Sequence, residues 1–172
     1  MFGNIGGTVL RLSGQSKVLF SGQEMSFEPV TGRYQYISNG FLEEGTFEWT
    51  DNNGKKFTNS VSITETIESP DVTTLSRAND YTYQWVGAPL KANQSVTVFI
   101  FEPSGQNSTT IFQASPGATV VIVERNAITK ITTPTAVLVA DRAMQVNAAE
   151  APAAGGLLIG KYRAKSRTIN LN

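Results

Sequence analysis

The sequence contains no histidine and no cysteine in its 172 residues. Those two side chains supply most near-neutral proton transfer, thiol nucleophiles and transition-metal ligands, so most catalytic and zinc-binding schemes lose their usual instrument. Charge is also sparse. Asp, Glu, Lys and Arg make up 16% of the chain, against about a quarter in an ordinary soluble domain. Acids and bases balance at 14 each, which leaves no overall field to gather nucleic acid or an anionic membrane. No apolar run approaches the roughly 20 residues that cross a bilayer, and Met1–Gly7 has no basic segment leading into an apolar stretch. A soluble chain without a standard secretory signal is expected. The absence of cysteine fits synthesis in a reducing compartment.

What is present reads as short β-strands separated by turns. Thr8–Leu12, Arg33–Ile37 and Thr46–Thr50 alternate apolar and polar side chains, as half-buried strands require. Val61, Ile63 and Ile67 share a parity, as do Tyr81, Tyr83 and Trp85. Ser95–Phe101 and Ala118–Val123 are nearly continuous β-branched and aromatic runs, expected to be buried on both faces at the centre of the core. Asn39-Gly40, Asp51-Asn52-Asn53-Gly54, Pro103-Ser104-Gly105 and Ser115-Pro116-Gly117 supply turn chemistry. Phe47 and Trp49 before the second of these, with Phe57 after it, predict a hairpin with aromatic residues paired across its strands. Two stretches could form short helices, 69–76 with Asp71 as cap and 141–149 with Asp141 as cap. The whole pattern predicts an all-β sandwich or barrel, jelly-roll or immunoglobulin-like, with few or no helices and an extended C-terminal arm.

The chain divides, on composition, into a β-sandwich domain over 1–147, an Ala/Pro/Gly linker over 148–156 and a basic strand or arm over 157–172. In the last part every odd residue from Lys161 to Arg167 is basic, which on an extended strand puts four cations on one face and Tyr162 on the other. No acid follows Glu150, so the tail carries +4 and the rest of the chain −4. Fully extended, residues 149–172 reach about 80 Å, twice the width of a domain this size. Lys161, Tyr162, Arg163, Lys165 and Arg167 are therefore the candidate partner-binding residues. The same pattern also serves as a charge-guarded sheet edge.

Other candidate sites are thinner. Tyr81, Tyr83 and Trp85 on one strand face would stack on sugar rings if exposed and would be core if not. Asp51–Gly54 lacks the alternating acids of a calcium loop and reads as a hairpin turn. Glu43, Glu44, Glu65 and Glu68 offer carboxylates but no facing acid/base geometry. Glu65 shares the parity of Val61 and Ile67, so it points inward with a partner or marks a bulge. Asn93-Gln94-Ser95 and Asn107-Ser108-Thr109 match the glycosylation pattern by chance. No catalytic residue, cofactor or metal site emerges.

A Met-initiated β-chain without histidine or cysteine, rich in Thr, Ser, Asn and Gly, with a small-residue linker and a basic terminal run, resembles the virion structural proteins of tailed bacteriophages. The likeness is especially to capsid cement or decoration proteins and small tail or neck components. That resemblance rests on overall character and transfers no site residues. It implies a protein made in the host cytoplasm and carried in the virion. It further implies a homo-oligomer, a trimer being favoured, that locks onto other virion proteins such as a major capsid protein, without nucleic acid, membrane or cofactor. The contrasting expectation is a carbohydrate-binding or adhesin module built on Tyr81, Tyr83 and Trp85.

Overall fold

A computed structural model describes residues 11–29, 33–36, 42–62, 65–152 and 155–172. The expectations placed on Met1–Leu10, Ile37, Asn39, Gly40, Ile63 and Ala153–Ala154 lie outside the described residues. The strands are β1 (Lys17–Phe20), β2 (Gln23–Glu24), β3 (Ser26–Glu28), β4 (Arg33–Gln35), β5 (Glu44–Thr50), β6 (Lys56–Ser62), β7 (Thr74–Leu75), β8 (Tyr81–Gln84), β9 (Gln94–Phe101), β10 (Ser108–Gln113), β11 (Val120–Val123), β12 (Thr135–Asn147), β13 (Leu157–Arg163) and β14 (Arg167–Leu171). A single helical turn, α1 (Arg125–Ile128), interrupts them. Strands take 51% of the described residues and helix 3%, so the all-β sandwich-or-barrel expectation holds.

The polypeptide forms two compact units, Met1–Ser62 with Val146–Leu158, and Ile63–Gln145 with Ile159–Asn172. This differs from the division read from composition. Residues 148–156 are not a bare linker, because the Glu150 carboxylate accepts the Thr58 N–H at 2.6 Å. Its backbone also exchanges two hydrogen bonds with the buried Asn59 side chain, at 2.7 and 2.9 Å. Small residues suit this stretch because its two ends lie close together: Ala148 N–H donates to the Gly156 carbonyl at 2.9 Å, and a Cβ on Gly156 would lie 3.0 Å from the Ala148 methyl.

The first unit is built on an antiparallel sheet of order β2-β1-β5-β6. Its β5–β6 hairpin is the predicted one, with Trp49 directly opposite Phe57 and their rings stacked at 5.0 Å. The turn explains itself chemically. The Asp51 carboxylate accepts the N–H groups of Asn53 and Lys55 at 2.8 and 2.9 Å, and Gly54 takes the left-handed φ of +78° that the reversal needs. Asp51 is thus spent on backbone donors rather than on a cation. A separate β3–β4 hairpin pairs Phe27 with Tyr34, ring centroids 5.3 Å apart.

The second unit holds the main core. Its larger sheet runs β10-β9-β12-β14-β7, with β13 also paired to β12. One face of that sheet presents Val96, Val98 and Ile100 from β9, Ala136, Leu138 and Ala140 from β12, and Ile169 and Leu171 from β14. Tyr83 of β8 and Val121 and Val123 of β11, a two-stranded ribbon, belong to the same buried cluster. The apolar runs are therefore buried on one face only, contrary to expectation. Along β9 burial alternates strictly, with Phe99 half-buried on the other side, and Ile122 of β11 is 47% exposed. A sheet covered on one face needs only every second residue to be apolar, and the extra ones are left facing out.

Neither expected helix forms. Residues 69–76 contain the two-residue β7, and 141–147 continue β12 along β9. Pairing with β9 overrides the weak capping signal of Asp141, whose carboxylate is engaged elsewhere.

Candidate functional site

The C-terminal basic run spans the end of β13, the connection that follows and the first residue of β14. β14, which carries only Arg167 of the four cations, pairs antiparallel with β12 on one side and parallel with β7 on the other and is an interior strand. β13, which carries Lys161 and Arg163, is paired with β12 alone among the described residues and is the kind of sheet edge that alternating cations guard. Between β13 and β14 the chain stays tied to β12 through Ala164 N–H on the Ala140 carbonyl, 2.9 Å. The interruption changes the parity of the strand. Arg163 reaches Asp141, which shares a face with Thr97, whereas Arg167 sits opposite Leu138 on the core-facing side. The four cations consequently do not share one face.

Their charges are largely matched within the chain. Asp141 is 1% exposed and receives both Arg163 Nε and Nη2, at 2.7 and 2.9 Å, with Lys161 Nζ at 3.7 Å. This bidentate fork raises the already high pKa of Arg163. The guanidinium also lies 6.0 Å from the centroid of the Phe99 ring. Arg167 pairs with Asp71 at 3.4 Å. Lys165 is exposed, and Tyr162 packs partly buried against the core. The basic residues chiefly hold the sheet together, compensating a buried acid and an outlying one.

A second charged group is deeper. Arg142, on the core side of β12, is 2% exposed. Its guanidinium donates to the carbonyls of Ala88 and Pro89 at 2.7 and 3.0 Å, to Gln94 Oε1 at 2.6 Å and to Glu65 Oε2 at 2.5 Å. Glu65 is also held by Lys91 Nζ at 2.6 Å. The sequence reading of Glu65 as an inward acid with a partner is therefore met, but the partner went unnoticed because it lies 77 residues away. The hydrogen bonds from Lys91 and Gln94 hold the Glu65 pKa below its ordinary value, against the opposing effect of burial. Burial in turn lowers that of Arg142, and the Glu65 charge partly offsets this.

Glu102 forms a third such node. One carboxylate oxygen accepts Asn107 Nδ2 at 3.0 Å, Thr132 N–H at 2.7 Å and the Thr132 hydroxyl at 2.8 Å, tying the β9–β10 turn to the segment before β12. Asn107 is thus committed to Glu102 rather than displayed as a glycosylation acceptor. These donors, led by Asn107, lower the Glu102 pKa from 4.5 to about 2. The folded form therefore binds protons more weakly than the unfolded chain. Its stabilising contribution is complete above pH 4.5 and is lost as the pH falls toward 2. In an acid titration monitored by circular dichroism, Glu102→Gln is expected to flatten the loss of stability over that window. An unchanged acid slope would remove Glu102 from the account.

The aromatic stripe is core. Tyr83 and Trp85 are 0% and 3% exposed and Tyr81 is partly buried, so no open ring face is left for a sugar and the stacking platform does not form. The Tyr83 hydroxyl bonds Ser69 Oγ at 3.1 Å, and Trp85 Nε1 donates to the Ala88 carbonyl at 3.3 Å. Glu43 and Glu44 are both exposed. Among the described residues no group of three or more acids could hold a metal ion, and no helix is long and apolar enough to cross a membrane. A polar cleft of about 430 Å³ lies between Ala78–Asp80 and Glu124–Asn126, but the Asp80 carboxylate there is used on the Arg125 N–H at 2.9 Å.

The most exposed apolar side chain on the large sheet is at its end. Phe112 of β10 is 63% exposed, on the face opposite the core, and among the described residues no strand pairs with the far side of β10. Sequence reasoning passed over this strand because Ser108–Gln113 holds no charge and its only motif residues, Ser108 and Thr109, belong to the chance glycosylation pattern. No family model, curated protein or solved structure matches the chain.

Proposed function

We propose that this chain is a non-enzymatic virion structural protein, binding and stabilising a capsid or tail lattice through contacts between its own copies and with other virion proteins. The observation that carries the assembly part of this reading is the end of the large sheet, an uncharged strand with an open backbone edge beside an exposed Phe112. Isolated edges of this kind are normally guarded by charge, proline or a covering segment, because they recruit other strands. A protein that binds only the assembled lattice stabilises it by mass action, with no chemistry required. The composition, poor in acid/base and thiol groups, supports the same reading. The β-structured core provides the rigid scaffold on which such contacts depend.

The virion assignment is tested by mass spectrometry of particles purified from a lysate of the source cell. Peptides of this chain should co-purify with intact particles at a fixed copy number relative to the main shell or tail protein. Recovery only from the particle-free fraction would refute the assignment.

A further inference from the structure

The large sheet stops at β10, and its outer edge has unusual composition for a place where a sheet stops. Ser108-Thr109-Thr110-Ile111-Phe112-Gln113 contains no charged residue and no proline. The strand straddles the edge with apolar groups on both faces. Ile111 packs partly buried against the core, while Phe112 on the opposite face is 63% exposed. One additional strand would cover both.

We propose that β10 pairs antiparallel with β10 of a second copy of this chain across a two-fold axis, joining two sheets into one. This rests on the homo-oligomer part of the reading above and specifies its contact. The charge pattern selects a second copy as the occupant. Self-pairing brings each residue near its own duplicate, so a charged strand would oppose like charges, and β10 has none to oppose. Asp141, on the same face two strands inward through Thr97, is buried and already matched by Arg163. An isologous contact also needs one patch only, and two-fold dimers are the commonest closed assemblies.

Geometry restricts the register. Opposed residues of an antiparallel pair point to the same face, and a two-fold perpendicular to the sheet keeps faces, so odd residues must oppose odd and even oppose even. Some residue then faces its own copy. Placing Ile111 opposite Ile111 sets the two isoleucines side by side on the core face. It also puts Thr110 opposite Phe112, so that the two phenylalanines become diagonal neighbours on the other face. This register brings both apolar residues under cover. A two-fold contact makes dimers, which replaces the trimer expected from the virion resemblance.

Because the natural chain has no cysteine, Ile111→Cys introduces a lone thiol into the full-length protein. Mild oxidation should convert this variant to a covalent dimer, while the exposed control Lys165→Cys stays monomeric on denaturing gels under the same conditions. Phe112→Lys should raise the dimer dissociation constant by about tenfold or more, through lost apolar contact and like-charge opposition, and leave the melting temperature of the monomer near that of the wild type. A wild-type oligomer whose mass is unchanged by Phe112→Lys, with no Ile111→Cys cross-link, would overturn β10 pairing and leave homo-oligomerisation standing. A wild-type chain that stays monomeric at high concentration would overturn both. Cross-linking of Ile111→Cys to a different protein in a source-cell lysate, without the self-dimer, would assign the edge to a foreign strand and overturn the two-fold.

Discussion

Deleting residues 157–172 is expected to unfold the second unit. Those residues supply β13 and β14, and β14 lies between β12 and β7, with register pairs from Thr135–Asn170 to Leu138–Arg167 on one side and Asn170–Thr74 on the other. Its removal strips the β12 edge of backbone partners and leaves β7 without a neighbour. It also empties the core positions of Ile169 and Leu171, which are 0% and 7% exposed. Each buried aliphatic side chain of this kind contributes roughly 1.5–3 kcal/mol, and each unmade buried hydrogen bond costs about 1–3 kcal/mol. Against a total stability of about 5–15 kcal/mol for a typical domain, losing a whole interior strand exceeds what remains. Circular dichroism of the truncated chain should show no cooperative melt from this unit. Replacing Lys165 with Ala should leave the melt unchanged, because that side chain is exposed and holds no buried acid. A truncated chain melting like the wild type would mean that the tail is the dispensable arm, one of the two readings its charge pattern allowed.

Arg142→Ala is expected to be among the most damaging single substitutions, at about 3–5 kcal/mol, because it removes one partner from a buried polar group whose others cannot find water. Without the guanidinium, the Ala88 and Pro89 carbonyls, Gln94 and Glu65 each lose a donor. Arg142→Lys should recover only part of the loss, since an ammonium cannot present the planar fork that reaches these separate acceptors. Glu65→Gln should cost less than Arg142→Ala, as the guanidinium then keeps its three other acceptors. The acid dependence gives a further check. The Glu65 pKa lies below 4.5 in the folded protein, so its contribution is present above that value and fades as the pH falls through the depressed one. Chemical denaturation at neutral pH measures the first effect, and a loss below about 1 kcal/mol for Arg142→Ala would show that the site relaxes and that the buried charge is not a fixed point of the fold.

Strand identity was legible in this sequence wherever alternation and turn chemistry coincided. The β5–β6 hairpin with Trp49 on Phe57 followed from three aromatics and Asp51–Gly54 alone. Sheet order was not legible, because parallel pairing of β14 with β7 and the return of β12 to β9 depend on contacts between distant segments. That gap is why the tail stayed open between an arm and a charge-guarded edge. The alternating cations fit an exposed strand, but their partners are Asp141 and Asp71, 22 and 96 positions from the residues they bind, and sequence spacing carries no trace of either. The aromatic stripe shows the same limit. Tyr81, Tyr83 and Trp85 have one parity whether that face meets water or core, and the ribbon with β11 decides for the core. The candidate contact strand β10 was silent for the opposite reason: its signal is an absence of guarding charge, which acquires meaning only once β10 is known to end a sheet.

The central claim, that this is a protein built to associate with itself, is tested most directly by its mass in solution as a function of concentration. Sedimentation equilibrium of the full chain over about a hundredfold concentration range should show a reversible shift from the 18.6 kDa monomer to twice that mass. A constant monomer mass across the whole range would contradict the account.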